Sequence, residues 1–143
     1  MKTLQEIYRI ADQENIPVDL FALFSRDALS IMDEDGSCFV AIDPGKIRDE
    51  TDERSKLAHE LGHCLTGAFY NQYSNYDCRQ KHENKADKWA VQQLIPVEEL
   101  DEAIAAGHTE IWEIAEHFGV TEDLARKAVC YYVYGNLATE LYF

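Results

Sequence analysis

His59-Glu60-Leu61-Gly62-His63 sits inside a segment, Glu50 to Ala68, whose apolar residues Leu57, Leu61, Cys64, Leu65 and Ala68 recur at helical spacing. The stripe predicts an amphipathic helix with one face in a core. Residues four apart on a helix stack on one face, so His59 and His63 point the same way. Gly62 is out of place there, because glycine in a helix interior costs about 1 kcal/mol relative to alanine. A helix that carries this cost often needs a neighbour to approach closely at that point. Gly62 therefore argues against two incidental histidines on an ordinary surface helix.

Two histidines at this spacing, with a glutamate beside the first, form the pattern H-E-x-x-H. The histidines can grip one metal ion and the glutamate can work on water at that metal. The chemistry implied is that of a zinc hydrolase, usually a peptidase. Such a site takes three protein ligands and leaves a fourth position open. Downstream, Glu83-Asn84-Lys85-Ala86-Asp87 opens a second helical segment running to about Leu94, with Ala86, Trp89, Ala90 and Leu94 on its buried side. Glu83 and Asp87 are again four apart. We read Glu83 as the third ligand and Asp87 as the group that hydrogen-bonds a ligating histidine and sets its tautomer. His82 and Asp77 compete for the ligand role. Taken alone, Glu83 and Asp87 would pass for carboxylates at a solvated helix start, where the helix dipole favours them.

The chain at this point resembles the ImmA/IrrE family of metallopeptidases. The resemblance rests on His59-Glu60-Leu61-Gly62-His63, then Glu83-Asn84-Lys85-Ala86-Asp87-Lys88-Trp89-Ala90, then Leu94-Ile95-Pro96. Val40-Ala41-Ile42-Asp43-Pro44 is similar to the strand that precedes the family's active-site helix. The match is good over about 38–96 and loose elsewhere. It implies a gluzincin-like zinc site with ligands His59, His63 and Glu83 and the base Glu60. It also implies a protein substrate, a repressor of the helix-turn-helix type.

With 143 residues, 46% of them hydrophobic, the chain is long enough for one domain with a core. No apolar run approaches the roughly 20 residues that span a bilayer. The start, Met1-Lys2-Thr3-Leu4-Gln5-Glu6, has no apolar signal core, so a cytoplasmic protein is expected. The four cysteines, Cys38, Cys64, Cys78 and Cys130, form no C-x-x-C pair. They read as small hydrophobes or free thiols, neither a disulfide frame nor a thiolate zinc site. The net charge of −14 opposes binding to DNA phosphates and to anionic lipid surfaces. No nucleic-acid or membrane partner is expected.

Along the chain, about 3–15 reads as a helix ended by Pro17, and Val18 to Phe24 is apolar but ambiguous. Ala28 to Met32 and Ser37 to Ile42 are short branched runs separated by Asp33-Glu34-Asp35-Gly36, a β-hairpin signal. A polar, tyrosine-rich loop is expected from Tyr70 to Lys81, and a short helix from Val97 to Ala106. Thr109 to Phe118, a glycine turn and Glu122 to about Tyr134 outline a helix-turn-helix. Its five acidic and two basic residues give a net −3. DNA readers need Arg and Lys on the second helix, so the pair reads as a packing unit or a protein-recognition surface.

The expected fold is α+β. It is a mainly helical single domain over 1–143, with a catalytic core at about 28–96 and a helical part at 97–143. A small antiparallel hairpin lies beside the zincin-like active-site helix, and a helix-turn-helix-like pair follows. The expected function is zinc-dependent peptide hydrolysis, with Glu60 taking a proton from the attacking water and passing it to the leaving amine. Tyr70, Tyr73, Tyr76, Arg79 and His82 are all candidates to stabilise the oxyanion. One hairpin strand, Ser37 to Ile42, could pair with an extended substrate. The alternatives are a non-catalytic metal-binding regulatory or adaptor module, a DNA-binding regulator with structural zinc, and a small-molecule amidohydrolase.

Overall fold

The computed structural model describes residues 1–69 and 73–135. Helix α1 spans Leu4–Gln13, and the Thr3 hydroxyl accepts a hydrogen bond from the Glu6 amide at its start. Strands β1 (Val18–Leu20), β2 (Ala28–Met32) and β3 (Cys38–Ile42) follow. Helix α2 spans Glu50–Thr66, α3 Tyr76–Leu94, α4 Val97–Ala105, α5 Ile111–Phe118 and α6 Glu122–Val129. A π-helical turn, Cys130–Tyr134, extends α6. The fold is mostly helical with one small sheet, in the α+β class.

The sheet order is β1-β3-β2. β2 and β3 form the antiparallel hairpin, with Ser30 opposite Val40. β1 runs parallel to β3, with Val18 opposite Val40. The sheet is therefore mixed rather than purely antiparallel. The parallel strand comes from the ambiguous stretch after Pro17. It has only three residues, two of them exposed, so no period-two signal marks it. β3 is the central strand, and its Val40, Ala41 and Ile42 are fully buried. That overturns the expectation that Ser37 to Ile42 offers an edge to a substrate. The edge beside the site belongs to β2.

α2 lies against α1, the sheet and α3. Its Leu57, Ala58 and Leu61 enter a cluster with Ile7, Val40, Ile42, Val91, Leu94 and Phe118. α3 starts at Tyr76, so Tyr76 to Lys81 belongs to a helix and not to the expected loop. Asn75 caps it by accepting from the Cys78 amide. Gly119, with φ 62°, turns the chain between α5 and α6, and Thr121 caps α6. The apolar faces of this pair, including Ile114, Phe118, Leu124 and Ala128, complete the same core.

Cys38 at the start of β3 and Cys64 on α2 are joined by a disulfide, their Cα atoms 5.9 Å apart. The expectation of unpaired cysteines is wrong at these two positions. They lie 26 residues apart in sequence, and only the packing of α2 on the sheet brings them together. Disulfides belong to oxidising surroundings or to redox-responsive proteins. The cysteine pattern therefore does not speak for a reducing compartment. Cys78 and Cys130 are free thiols. Among the described residues, no helix is long and apolar enough to cross a membrane.

Candidate metal centre

The site forms where α2 crosses α3, and Gly62 sets the distance between them. A Cβ at Gly62 would lie 2.5 Å from the Ala86 carbonyl oxygen and 2.9 Å from the Ala86 Cα. Real Cβ atoms do not come so near backbone, so only glycine lets α3 approach this far. Ala86 itself is fully buried. Glu83 and Asp87, on either side of it, are thereby brought against the histidine face of α2.

Three nitrogen and oxygen donors converge there. His59 Nε2 is 2.9 Å from Glu83 Oε2, and His63 Nε2 is 3.2 Å from Glu83 Oε1. The two Nε2 atoms are 3.2 Å apart. Each imidazole is held from behind through Nδ1. In His59, Nδ1 is 2.7 Å from Asp87 Oδ1. In His63, Nδ1 meets the Ala68 carbonyl oxygen, and a carbonyl can only accept. His63 therefore donates through Nδ1, which leaves Nε2, the atom facing Glu83, as the one that can ligate a metal. Glu60 lies beside this group, buried, and His59, Glu60 and His63 offer ligand atoms all within 4.8 Å of one another. Imidazole and carboxylate donors suit a first-row transition ion.

Charge is concentrated here. Burial pulls the His59 imidazolium down. Its hydrogen bonds to Asp87 and Glu83 and the charges of Asp87 and Glu60 more than offset this, pushing its pKa up to about 10. A metal must displace that proton to bind. Burial raises the Asp87 carboxyl, but its hydrogen bond to His59, the His59 charge and Lys127 together hold it below the ordinary carboxylate range.

Two cavities flank Glu60. The larger, about 760 Å³, reaches from His59 and Asp87 along Lys56 to Thr121 and Lys127. The smaller, about 80 Å³, is lined by His63, Glu83, Phe69 and by Ser30 of β2. Glu60 and Arg26 line both.

The family model for Peptidase M78, the IrrE N-terminal-like domain, matches residues 27–129. The chain belongs to this family. No curated protein matches the chain. The matched region starts one residue before β2 and ends with α6, so both flanks of the site fall inside the IrrE-like domain. Membership makes it a metallopeptidase-type domain, and its His59-Glu60-His63 group can hold a metal ion.

The other expected residues of this IrrE-like domain fall less neatly. Tyr70 lies outside the described residues. Tyr73 and Tyr76 are largely exposed, at 86% and 74%. Neither they nor Arg79 or His82 line the cavities that flank Glu60. Arg79 instead donates to the Ser74 carbonyl, 3.0 Å away. Cys64 is spent in the disulfide. Sequence reasoning missed Arg26, an exposed guanidinium just before β2 with no side-chain ion pair among the described residues. Its loop is braced by the Lys46 ammonium, which donates to the carbonyls of Leu23, Phe24 and Arg26. No motif marks Arg26; only the hairpin's approach to α2 does. Lys127, one of the two basic residues in the helix-turn-helix outline, turns inward to Asp87, 2.9 Å away.

Proposed function

We propose that this protein is a zinc-dependent endopeptidase. His59, His63 and Glu83 are the ligands, Glu60 is the base, and Asp87 orients His59. The observation that carries this reading is the meeting of two Nε2 atoms and one carboxylate within 3.2 Å, with Glu60 beside them. Two histidines and a glutamate are a known catalytic zinc set, which leaves one position open.

When bound, zinc supplies Lewis acidity, making water a better nucleophile and polarising the scissile carbonyl. The chain's own groups do the rest. The Glu60 carboxylate accepts the proton of the attacking water and returns it to the departing amine. The Ala68 carbonyl and Asp87 hold the two imidazoles in the orientation that directs Nε2 inward. The β2 edge offers unpaired backbone groups to an extended substrate strand. Ser30 on that strand lines the small cavity with Glu60 and His63, which directs such a segment past the base. Arg26, at the junction of the two cavities, is suited to meet negative charge developing on the carbonyl oxygen.

The substrate we infer is a repressor-type regulatory protein with a helix-turn-helix, acted on in the cytoplasm. The family resemblance suggests this role. Metal content decides the first half of the proposal: purified protein should bind one zinc, and His59→Ala and Glu83→Gln should lose it. A helix-turn-helix repressor encoded beside the gene, where one is found, is the first substrate to try. Cleavage by wild type and none by Glu60→Gln supports an enzyme. Intact metal with no cleavage of any partner would instead favour a non-catalytic module.

A further inference from the structure

We propose that Lys127 is a positioning residue of the metal centre, so that the C-terminal helix pair is part of the site rather than a neighbouring packing unit. This rests on the metal reading above. Asp87 uses its two oxygens for two different partners. Oδ1 meets His59 Nδ1 at 2.7 Å, and Oδ2 meets Lys127 Nζ at 2.9 Å. The Asp87 side chain is only 6% exposed, and a buried carboxylate depends on such partners. Lys127 supplies the countercharge and a fixed second anchor. With it, the carboxylate cannot swing away from the imidazole. Without it, Asp87 keeps a single partner and is free to rotate about its last bond.

The lysine is itself well placed. Asp123, one turn earlier on α6, lies 3.1 Å from its ammonium. The head of α6 is tied to α2, because Arg54 donates to the carbonyls of Phe118 and Gly119, and the Thr121 amide meets Ser55 Oγ at 3.4 Å. Ser55 lies one turn before His59 on the same helix. α6 therefore spans the two helices that carry the site: its start is fixed on α2 and Lys127 is fixed on α3. The chain Lys127–Asp87–His59 runs from the last matched helix to a metal ligand. A lysine that merely glued α6 to the core would need no tie to the one carboxylate that orients a ligand.

The two roles separate in metal affinity measured without substrate. Full-length protein is stripped with a chelator, and zinc affinity is read by competition with a chromophoric chelator for wild type, Lys127→Met, Lys127→Arg and Ile114→Ala. Ile114 is buried on α5 within the apolar cluster and offers no polar group to the site, so its variant reports loss of packing. Lys127→Met should lose 10- to 100-fold in zinc affinity, the range typical of lost outer-shell partners. Lys127→Arg should stay within about threefold of wild type, and so should Ile114→Ala despite a lower melting temperature. The cobalt-substituted Lys127→Met protein should also show an altered visible absorption band. If Lys127→Met does not fold, Lys127→Gln, which keeps a donor and loses the charge, is read in its place and should show the same loss. Wild-type affinity and cobalt spectrum in the folded Lys127 variant would overturn the proposal, as would an equal loss in Ile114→Ala. A wild type that binds no zinc at all would instead overturn the metal reading on which it rests.

Discussion

The chain contains two helix pairs built on opposite plans. α5 and α6 meet through Ile114, Phe118, Leu124 and Ala128, and the residues buried on them are all apolar, although Lys127 reaches inward to Asp87. α2 and α3 share that core through Leu57, Leu61, Ala90 and Leu94, but they also bury polar groups. Asp52, Arg54, Ser55, Glu60 and His63 are all buried on α2, and Asp87 is buried on α3. Burying such groups is unfavourable unless each is paired. The second pair accepts that cost at the candidate site, and Gly62 within its unbroken helix lets the backbones come together. The first pair buries no polar side chain of its own. Apolar faces mark the scaffold, and buried polar groups mark the site.

The sharpest separation should come from Glu60→Gln. Cleavage is expected to fall by about 10²- to 10⁴-fold with zinc content and melting temperature unchanged, read by cleavage assay and metal analysis on one preparation. Retained cleavage would remove Glu60 as the base. The converse change lies in the α5–α6 pair: Ile114→Ala should cost about 3 kcal/mol in urea unfolding and leave zinc affinity nearly untouched. Gly62→Ala comes next and tests the contact between α2 and α3 directly. In an ordinary helix the change would gain about 1 kcal/mol. Here the added methyl meets Ala86 backbone at 2.5 Å. Overpacking should win and leave a net loss of about 2 kcal/mol, with weaker zinc binding as Glu83 and Asp87 are pushed away. A stabilised Gly62→Ala would show that the close approach is not what the glycine serves.

The smallest effect concerns acid. Burial raises the Asp52 carboxyl, but the Arg48 amide and the Lys56 ammonium hold it lower than usual overall. A carboxyl depressed in the folded state adds stability that is fully present above its unfolded pKa of about 3.9 and is lost as pH falls through the folded value. Asp52→Asn should therefore cost about 1 kcal/mol near neutral pH and flatten the decline of stability below about pH 4. Denaturant titrations at several pH values check this. An unchanged acid limb would mean that Asp52 contributes nothing to it.

Much of the site was legible because its parts are local. His59, Glu60 and His63 follow from helical spacing, and Glu83 and Asp87 from a second four-residue interval. Gly62 was legible as a close approach, though not as an approach to Ala86. The hairpin and the capped turn before α6 were legible from turn residues. β1 was not, because three half-solvated residues carry no period. β3 was mistaken for an edge because a parallel partner leaves no trace in its own residues. Cys38 and Cys64 carried no spacing signal, and neither did Arg26 or Lys127, whose roles depend on elements packing from other parts of the chain.

The sequence by itself determined the family, the helix that bears the motif and the residue types that converge on it. Periodicity and capping act within a few residues of the backbone, so they can be read from order alone. Only the tertiary structure decided which strand is the edge, which cysteines pair, and that a lysine 40 residues beyond Asp87 stands behind its carboxylate. These depend on distances between segments remote in the chain, which shared burial of side chains sets and local order does not.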